Sequence, residues 1–187
     1  MRRRTPFLRV RAARSRRDVA IARRLIRAYR DSLGIDLGFQ HFDRELRELP
    51  GDYRPPKGDL WLAWRGRRAV GCVALRPLDR RRAEMKRLYV SPRERGRGLG
   101  RRLARATVNA AARKGYRWIY LDTLSTMTVA LRLYEEMGFE RIRPYRFNPI
   151  PGSRFLRRKI GPSRPIPRRA GARPEVLRSR SPATLGR

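Results

Sequence analysis

The chain of 187 residues has one cysteine, Cys72, one histidine, His41, and four lysines, Lys57, Lys86, Lys114 and Lys159. A single thiol excludes an internal disulfide framework and a cysteine-built zinc site. No apolar run approaches the roughly 20 residues needed to span a bilayer. The start, MRRRTPFLRV, has no apolar core of the signal-peptide kind. Acidic residues are scarce as well, 16 against 49 basic, for a formal net charge of +33. The expectation is a soluble, cytoplasmic protein in a reducing compartment, with no membrane partner.

What the chain has is arginine. With only four lysines among 49 basic residues, 45 are arginine. Residues 1–30 hold 12 arginines and one acid, and residues 161–187 hold seven arginines and one acid. Single-stranded nucleic-acid binders follow the backbone with a basic groove and stack bases on aromatics. Here arginine is spread over every segment, which points to an arginine-biased, solvated surface. Nucleic acid is a partner the basic ends would allow but the pattern disfavours. Apolar residues make up 40% of the chain, enough to build a core.

The periodicities predict a strand at 7–12 and a helix at 16–32 opened by a capping box, Ser15 with Asp18. A short helix at 43–49 follows. A hairpin, 59–64 with 69–76, turns at Arg65-Gly66-Arg67-Arg68. A strand at 84–90 ends at Ser91-Pro92, since proline cannot donate to a ladder. The loop RERGRGLG then leads into a helix ending at Lys114-Gly115. A strand at 118–124, a helix at 128–137 and strands near 139–144 and 155–160 complete an α/β chain with a mixed sheet and helices on its faces. One domain is expected over 7–160. A basic extension, 1–6, precedes it, and an Arg/Pro-rich tail, 161–187, is too poor in apolar residues to order itself.

The strand–loop–helix at 84–114 is suited to anion capture. Gly96, Gly98 and Gly100 let the main chain turn its amides toward a bulky phosphate, and the helix N-terminus adds partial positive charge. Arg95, Arg97 and Arg101 add charge-assisted contacts. The dinucleotide and nucleoside-triphosphate fingerprints do not fit: G-x-G-x-x-G after a first strand and G-K-[ST] are both missing.

Met85-Lys86-Arg87-Leu88-Tyr89-Val90-Ser91-Pro92, followed by Arg95-Gly96-Arg97-Gly98-Leu99-Gly100, resembles the acyl-CoA motif of the GCN5-related N-acetyltransferase (GNAT) family. Arg95, Gly98 and Gly100 satisfy that family's Q/R-x-x-G-x-G/A pattern. Ala130-Leu131-Arg132-Leu133-Tyr134-Glu135-Glu136-Met137-Gly138-Phe139 is similar to its A-x-x-L-Y-x-x-x-G-F segment. The resemblance spans about residues 7–160. It implies a mixed sheet flanked by helices, acetyl-CoA as co-substrate, no metal, and direct attack of a bound amine on the thioester. On the same footing, the amides of Leu88, Tyr89 and Val90 would pair with the pantetheine arm. Those of Arg95, Gly96, Arg97, Gly98, Leu99, Gly100 and Arg101 would cradle the pyrophosphate, and Tyr134 would protonate the leaving thiolate. A phenol of pKa near 10 holds its proton at pH 7 and can follow a developing thiolate.

An ammonium cannot attack a thioester, so a base is needed. Glu84 is the first candidate, since a glutamate on this strand does that work in many relatives, and Asp122 is the reserve. His41, in the stretch QHFD, is read as a loop or acceptor-wall residue, and Cys72 as core. Met127 stands where relatives often carry an asparagine near the CoA arm. Tyr145, Arg146 and Asn148, between the last strands, suggest acceptor recognition. A small amine or amino-acid-like acceptor is expected ahead of a protein lysine or N-terminus, on a monomer or homodimer. The alternatives are an arginine-rich nucleic-acid or ribosome-binding protein on a non-catalytic scaffold, and an inactive CoA-binding regulator.

Overall fold

The structure, a computed structural model, describes residues 7–35, 38 and 41–161. The expected basic extension at 1–6, and the expected tail beyond Gly161, lie outside the described residues.

Strand β1 (Leu8–Ala12) passes into helix α1 (Arg16–Leu33) through the capping box seen in the sequence. The Asp18 amide donates to the Ser15 hydroxyl at 3.0 Å, and the Ser15 amide donates back to the Asp18 carboxylate at 3.3 Å. A cap of this kind is worth about 1 kcal/mol. Arg11 on β1 grips the same carboxylate at 2.6 and 2.9 Å, which holds Asp18 well below the usual carboxylate range and ties strand to helix. Helix α2 (Phe42–Glu48) and a hairpin of β2 (Asp59–Arg65) and β3 (Arg68–Pro77) come next. Then come β4 (Arg82–Val90), α3 (Leu99–Arg113), β5 (Trp118–Leu124), α4 (Thr128–Glu136), β6 (Glu140–Ile142) and β7 (Ser153–Lys159). The order is the expected one, with most ends moved by a residue or two. Strand β6 stops at Ile142 instead of reaching Pro144, where proline offers no N–H to continue the ladder.

One seven-stranded sheet runs β1-β2-β3-β4-β5-β7-β6. On one face α3 and α4 cover Leu75, Met85, Ile119, Leu121 and Leu156. On the other, α1 and α2 cover Leu60, Leu62, Cys72 and Tyr89. Cys72 is fully buried, as a core residue should be, and burial pushes its thiol up to about 12 against a smaller opposing effect of Arg87. Among the described residues no helix is long and apolar enough to cross a membrane.

Two features of β4 position the site. It forms with β5 the only parallel pair among the described strands, and the two pair only at Arg82↔Trp118, Ala83↔Ile119 and Glu84↔Tyr120. On its other edge Lys86 lies opposite Ala74 and Tyr89 opposite Cys72, so the single Val73 spans both Arg87 and Leu88. This is a β-bulge, and Arg87 adopts φ 58° to make it. An arginine keeps a left-handed backbone only where its surroundings enforce it. Here Arg87 is buried and donates twice to Glu45 of α2, at 2.8 and 2.7 Å. Beyond Glu84, β4 and β5 stop pairing and a cleft opens between them.

Candidate active site

One bank of the cleft is main chain. The Ser91 amide donates to the Val70 carbonyl of β3 at 2.8 Å. Amides alternate between the two edges of a strand, so Tyr89 also donates toward β3, whereas the amides of Leu88 and Val90 face the open edge. By that alternation the open edge offers the amides of Leu88 and Val90, two of the three expected strand-like donors. The Tyr89 side chain joins the α1-side core, with its ring 6.2 Å from that of Tyr29.

The glycine loop follows through a short 3-10 turn, Pro92–Glu94. The Arg95 amide donates to the Pro92 carbonyl at 3.2 Å. Gly96 and Gly98 sit at φ 73° and 72° with nothing within 4 Å of a would-be Cβ. What these positions require is backbone conformation, which L-residues with side chains rarely adopt. The first helical bond of α3 runs from Arg102 N–H to Gly98 carbonyl at 3.1 Å, so the amides of Leu99, Gly100 and Arg101 have no partner within the helix. Gly100, partly buried, would bring a Cβ to 3.6 Å from Leu133 of α4. Arg101 pairs with Glu136, and Arg97 lies 3.8 Å from Glu94.

The other bank is side chains. A cavity of about 70 Å³ lies between β4 and β5, closed by α1, α4 and the loop before β7. Lys86, Arg87 and Leu88 line it from β4, Asp122 and Thr123 from β5, and Met127, Ala130 and Tyr134 from α4. Tyr29, Leu33 and Ile35, with Asn148 and Ile150, complete the wall. Tyr134 is buried, tilted against Phe139 with ring centroids 5.7 Å apart; burial first, then Tyr29 and Asp122, raises its phenol well above the usual value. It keeps its proton at any working pH.

The expected bases have different surroundings. Glu84 is fully buried and does not line the cavity. Its carboxylate accepts from Arg76 at 2.6 Å and from the Tyr145 hydroxyl at 2.7 Å, with Arg146 Nε 3.3 Å away. Burial alone would raise its pKa; Lys86, Arg76, Arg146 and the Tyr145 hydrogen bond outweigh that and set it below the usual glutamate value. Asp122 does line the cavity and accepts from Arg146 at 2.6 Å and Asn148 at 2.8 Å. The segment 144–149, expected to meet the acceptor, thus ties both carboxylates. Tyr145 is held edge-on against Tyr120 and Phe155, at 5.0 and 5.5 Å. Asn148 reaches the cavity, whereas His41 caps α2 from an exposed position and does not line it. Met127 lines the cavity and its sulfur accepts from the Thr123 hydroxyl at 3.4 Å.

Sequence reasoning passed over Tyr29, Glu45 and the side chains of Lys86 and Arg87. For Lys86 a signal was available: a lysine retained on the motif strand of a chain with 45 arginines.

An open β4 edge, a glycine turn into a helix and a buried tyrosine across the cleft define an acyl-CoA transferase scaffold. The family model described as the acetyltransferase (GNAT) family matches residues 16–139. An uncharacterized N-acetyltransferase of Schizosaccharomyces pombe is 40% identical over 135 residues, covering 71% of this chain and 83% of that protein. One of Escherichia coli is 33% identical over 128 residues, covering 66% and 76%. Among solved structures, a GNAT-family acetyltransferase from Staphylococcus aureus superposes with a TM-score of 0.67 at 21% identity, over 82% of this chain and 99% of that one. A GNAT-family acetyltransferase from Elizabethkingia anophelis with acetyl-CoA bound gives 0.55 at 18%, over 82% and 98%. The chain belongs to the GNAT family and is an acetyl-CoA-dependent N-acetyltransferase.

Proposed function

We propose that the protein acetylates a small primary amine, such as an amino-acid-like compound, within residues 7–160. The observation that carries this reading is the size and walling of the cavity where Tyr134 faces Asp122 and Lys86. At about 70 Å³ it is narrow at the point where an acceptor amine would enter. The end of α1 and the loop before β7 line it.

The donor, acetyl-CoA, would lie along the open bank. Its pantetheine arm would accept from the amides of Leu88 and Val90 in the manner of an added strand. Its pyrophosphate would meet the amides at 96–101 and the guanidinium groups of Arg95, Arg97 and Arg101. The thioester carbonyl is then attacked directly by the acceptor nitrogen. Tyr134, protonated and pointing into the cavity from α4, supplies a hydrogen bond and then a proton to the departing sulfur. Glu84, tied to Arg76, Arg146 and Tyr145, serves as the anchor of the acceptor bank.

A screen of small amines, amino acids and lysine- or N-terminal peptides with acetyl-CoA, read as free thiol release, tests the assignment. Small amines are expected to turn over. Turnover of peptides alone would overturn it.

A further inference from the structure

The acceptor bank has an unusual charge balance. Glu45, Glu84 and Asp122 provide three negative charges, and Arg87, Arg76 and Arg146 face them at 2.7, 2.6 and 2.6 Å. Lys86 is a fourth cation in this set, only 6% exposed, with Glu84 as its principal charged neighbour, and it lines the cavity. It lies one residue from the β-bulge at Arg87, opposite Ala74 of β3. Three of the groups around it are guanidiniums, which cannot release a proton in the working range.

We propose that Lys86 is the proton acceptor of the transfer, its neutral Nζ taking a proton from the ammonium of the acceptor. This rests on the reading that acceptor and thioester meet in this cavity. A general base must reach the proton, be unprotonated at working pH and be regenerated easily. Lys86 lines the cavity, which Glu84 does not. Asp122 is there, but two donors hold its oxygens. Burial pushes the Lys86 amine down to about 7; Arg87, Arg146 and Arg76 act in the same direction and Glu84 opposes them. Tyr29 from α1 and Tyr134 from α4 face the same cavity as neutral phenols, since burial raises both. The guanidinium groups that lower Lys86 also lower a bound ammonium, which eases the proton transfer between them.

Two protons leave the acceptor nitrogen. The first passes from the ammonium to Lys86 Nζ and then to solvent. The freed lone pair attacks the thioester carbonyl carbon, and a C–N bond forms. As the C–S bond breaks, Tyr134 gives its proton to the sulfur, and the second nitrogen proton passes to the Tyr134 oxygen and restores the phenol. Activity should rise with pH through about 7, as Lys86 loses its proton.

The test uses the full chain and two readouts. Because there are only four lysines, carbon-13 label at lysine Cε gives four resonances to follow with pH. One should titrate near pH 7 and vanish in Lys86→Met. Absence of any lysine titration between pH 6 and 8 would overturn the proposal. In steady-state assays with the best amine of the screen, Lys86→Met and Lys86→Gln should lose roughly 100-fold in kcat at pH 7.5, the low end of general-base effects. The loss should shrink toward pH 10, where the free amine deprotonates itself, and KM for acetyl-CoA should hold within threefold. If Tyr134→Phe loses turnover but Lys86→Met keeps the wild-type pH profile, the site stands and the role of Lys86 falls. Turnover indifferent to both substitutions would place the chemistry elsewhere and overturn both readings. Acetyl found on Lys86 by mass spectrometry would make it an acceptor and overturn its role as base.

Discussion

The two banks of the cleft are built by different means. On the side of β4 and α3 the working groups are main-chain amides, placed by a strand edge, two left-handed glycines and a helix start, all within residues 88–101. On the other side the groups are the side chains of Glu45, Arg76, Glu84, Lys86, Asp122, Tyr145, Arg146 and Asn148. These come from one helix, three strands and a loop, and meet only in the folded chain. A backbone bank tolerates change in its side chains and fails when φ and ψ are disturbed. A side-chain bank fails when one partner of a buried pair is removed, because the remaining charge keeps its desolvation cost.

That contrast can be broken in several ways. The largest effect is expected from Glu84→Gln, which leaves Arg76 and Arg146 without their shared buried carboxylate. Stability to urea should fall by about 3 kcal/mol, while the folded fraction still binds CoA. If stability is unchanged and turnover is lost, Glu84 is a base after all and the bank is catalytic rather than structural. Next comes Tyr134→Phe, expected to lower kcat by about 100-fold, or roughly 2.7 kcal/mol in barrier. Calorimetric CoA affinity should stay within twofold, and unchanged turnover would remove the tyrosine from the chemistry.

Gly98→Val tests the backbone bank. A β-branched residue at φ 72° is strained by about 1–2 kcal/mol, and relief of that strain turns the loop amides away. CoA affinity should drop about tenfold in calorimetry with little change in amine KM; equal affinity would mean the loop amides are not used. The smallest effect is expected from Arg101→Ala. Arg101 is exposed and already paired with Glu136. Exposed ion contacts are worth little, so CoA affinity should change less than threefold, and less still in high salt. A tenfold loss would move phosphate recognition from amides to side chains.

The backbone bank was largely legible in the sequence for the same reason that it is robust. Gly96 and Gly98 mark left-handed turns, Pro92 marks the end of pairing, and Ser15 with Asp18 marks a helix start, all by local chemistry. Direction was the part that local reading could not supply: consecutive amides alternate between the two edges of a strand, and the Arg95 amide closes its own turn. Glu84 was visible as a carboxylate on the motif strand, but nothing local showed that Arg76, Tyr145 and Arg146 would enclose it. Lys86 stood inside the quoted motif, but its burial, and the approach of Arg76 and Arg146 from 10 and 60 positions away, come only with the fold.

The sequence by itself determined the order of elements, the glycine-loop turn and the family, since each depends on short-range sterics and hydrogen bonding. Tertiary structure alone decided where the bulge at Arg87 interrupts the sheet, which carboxylate reaches the cavity and which lysine burial pushes down. Those outcomes depend on burial and on fields summed over partners distant in sequence, which no local pattern encodes.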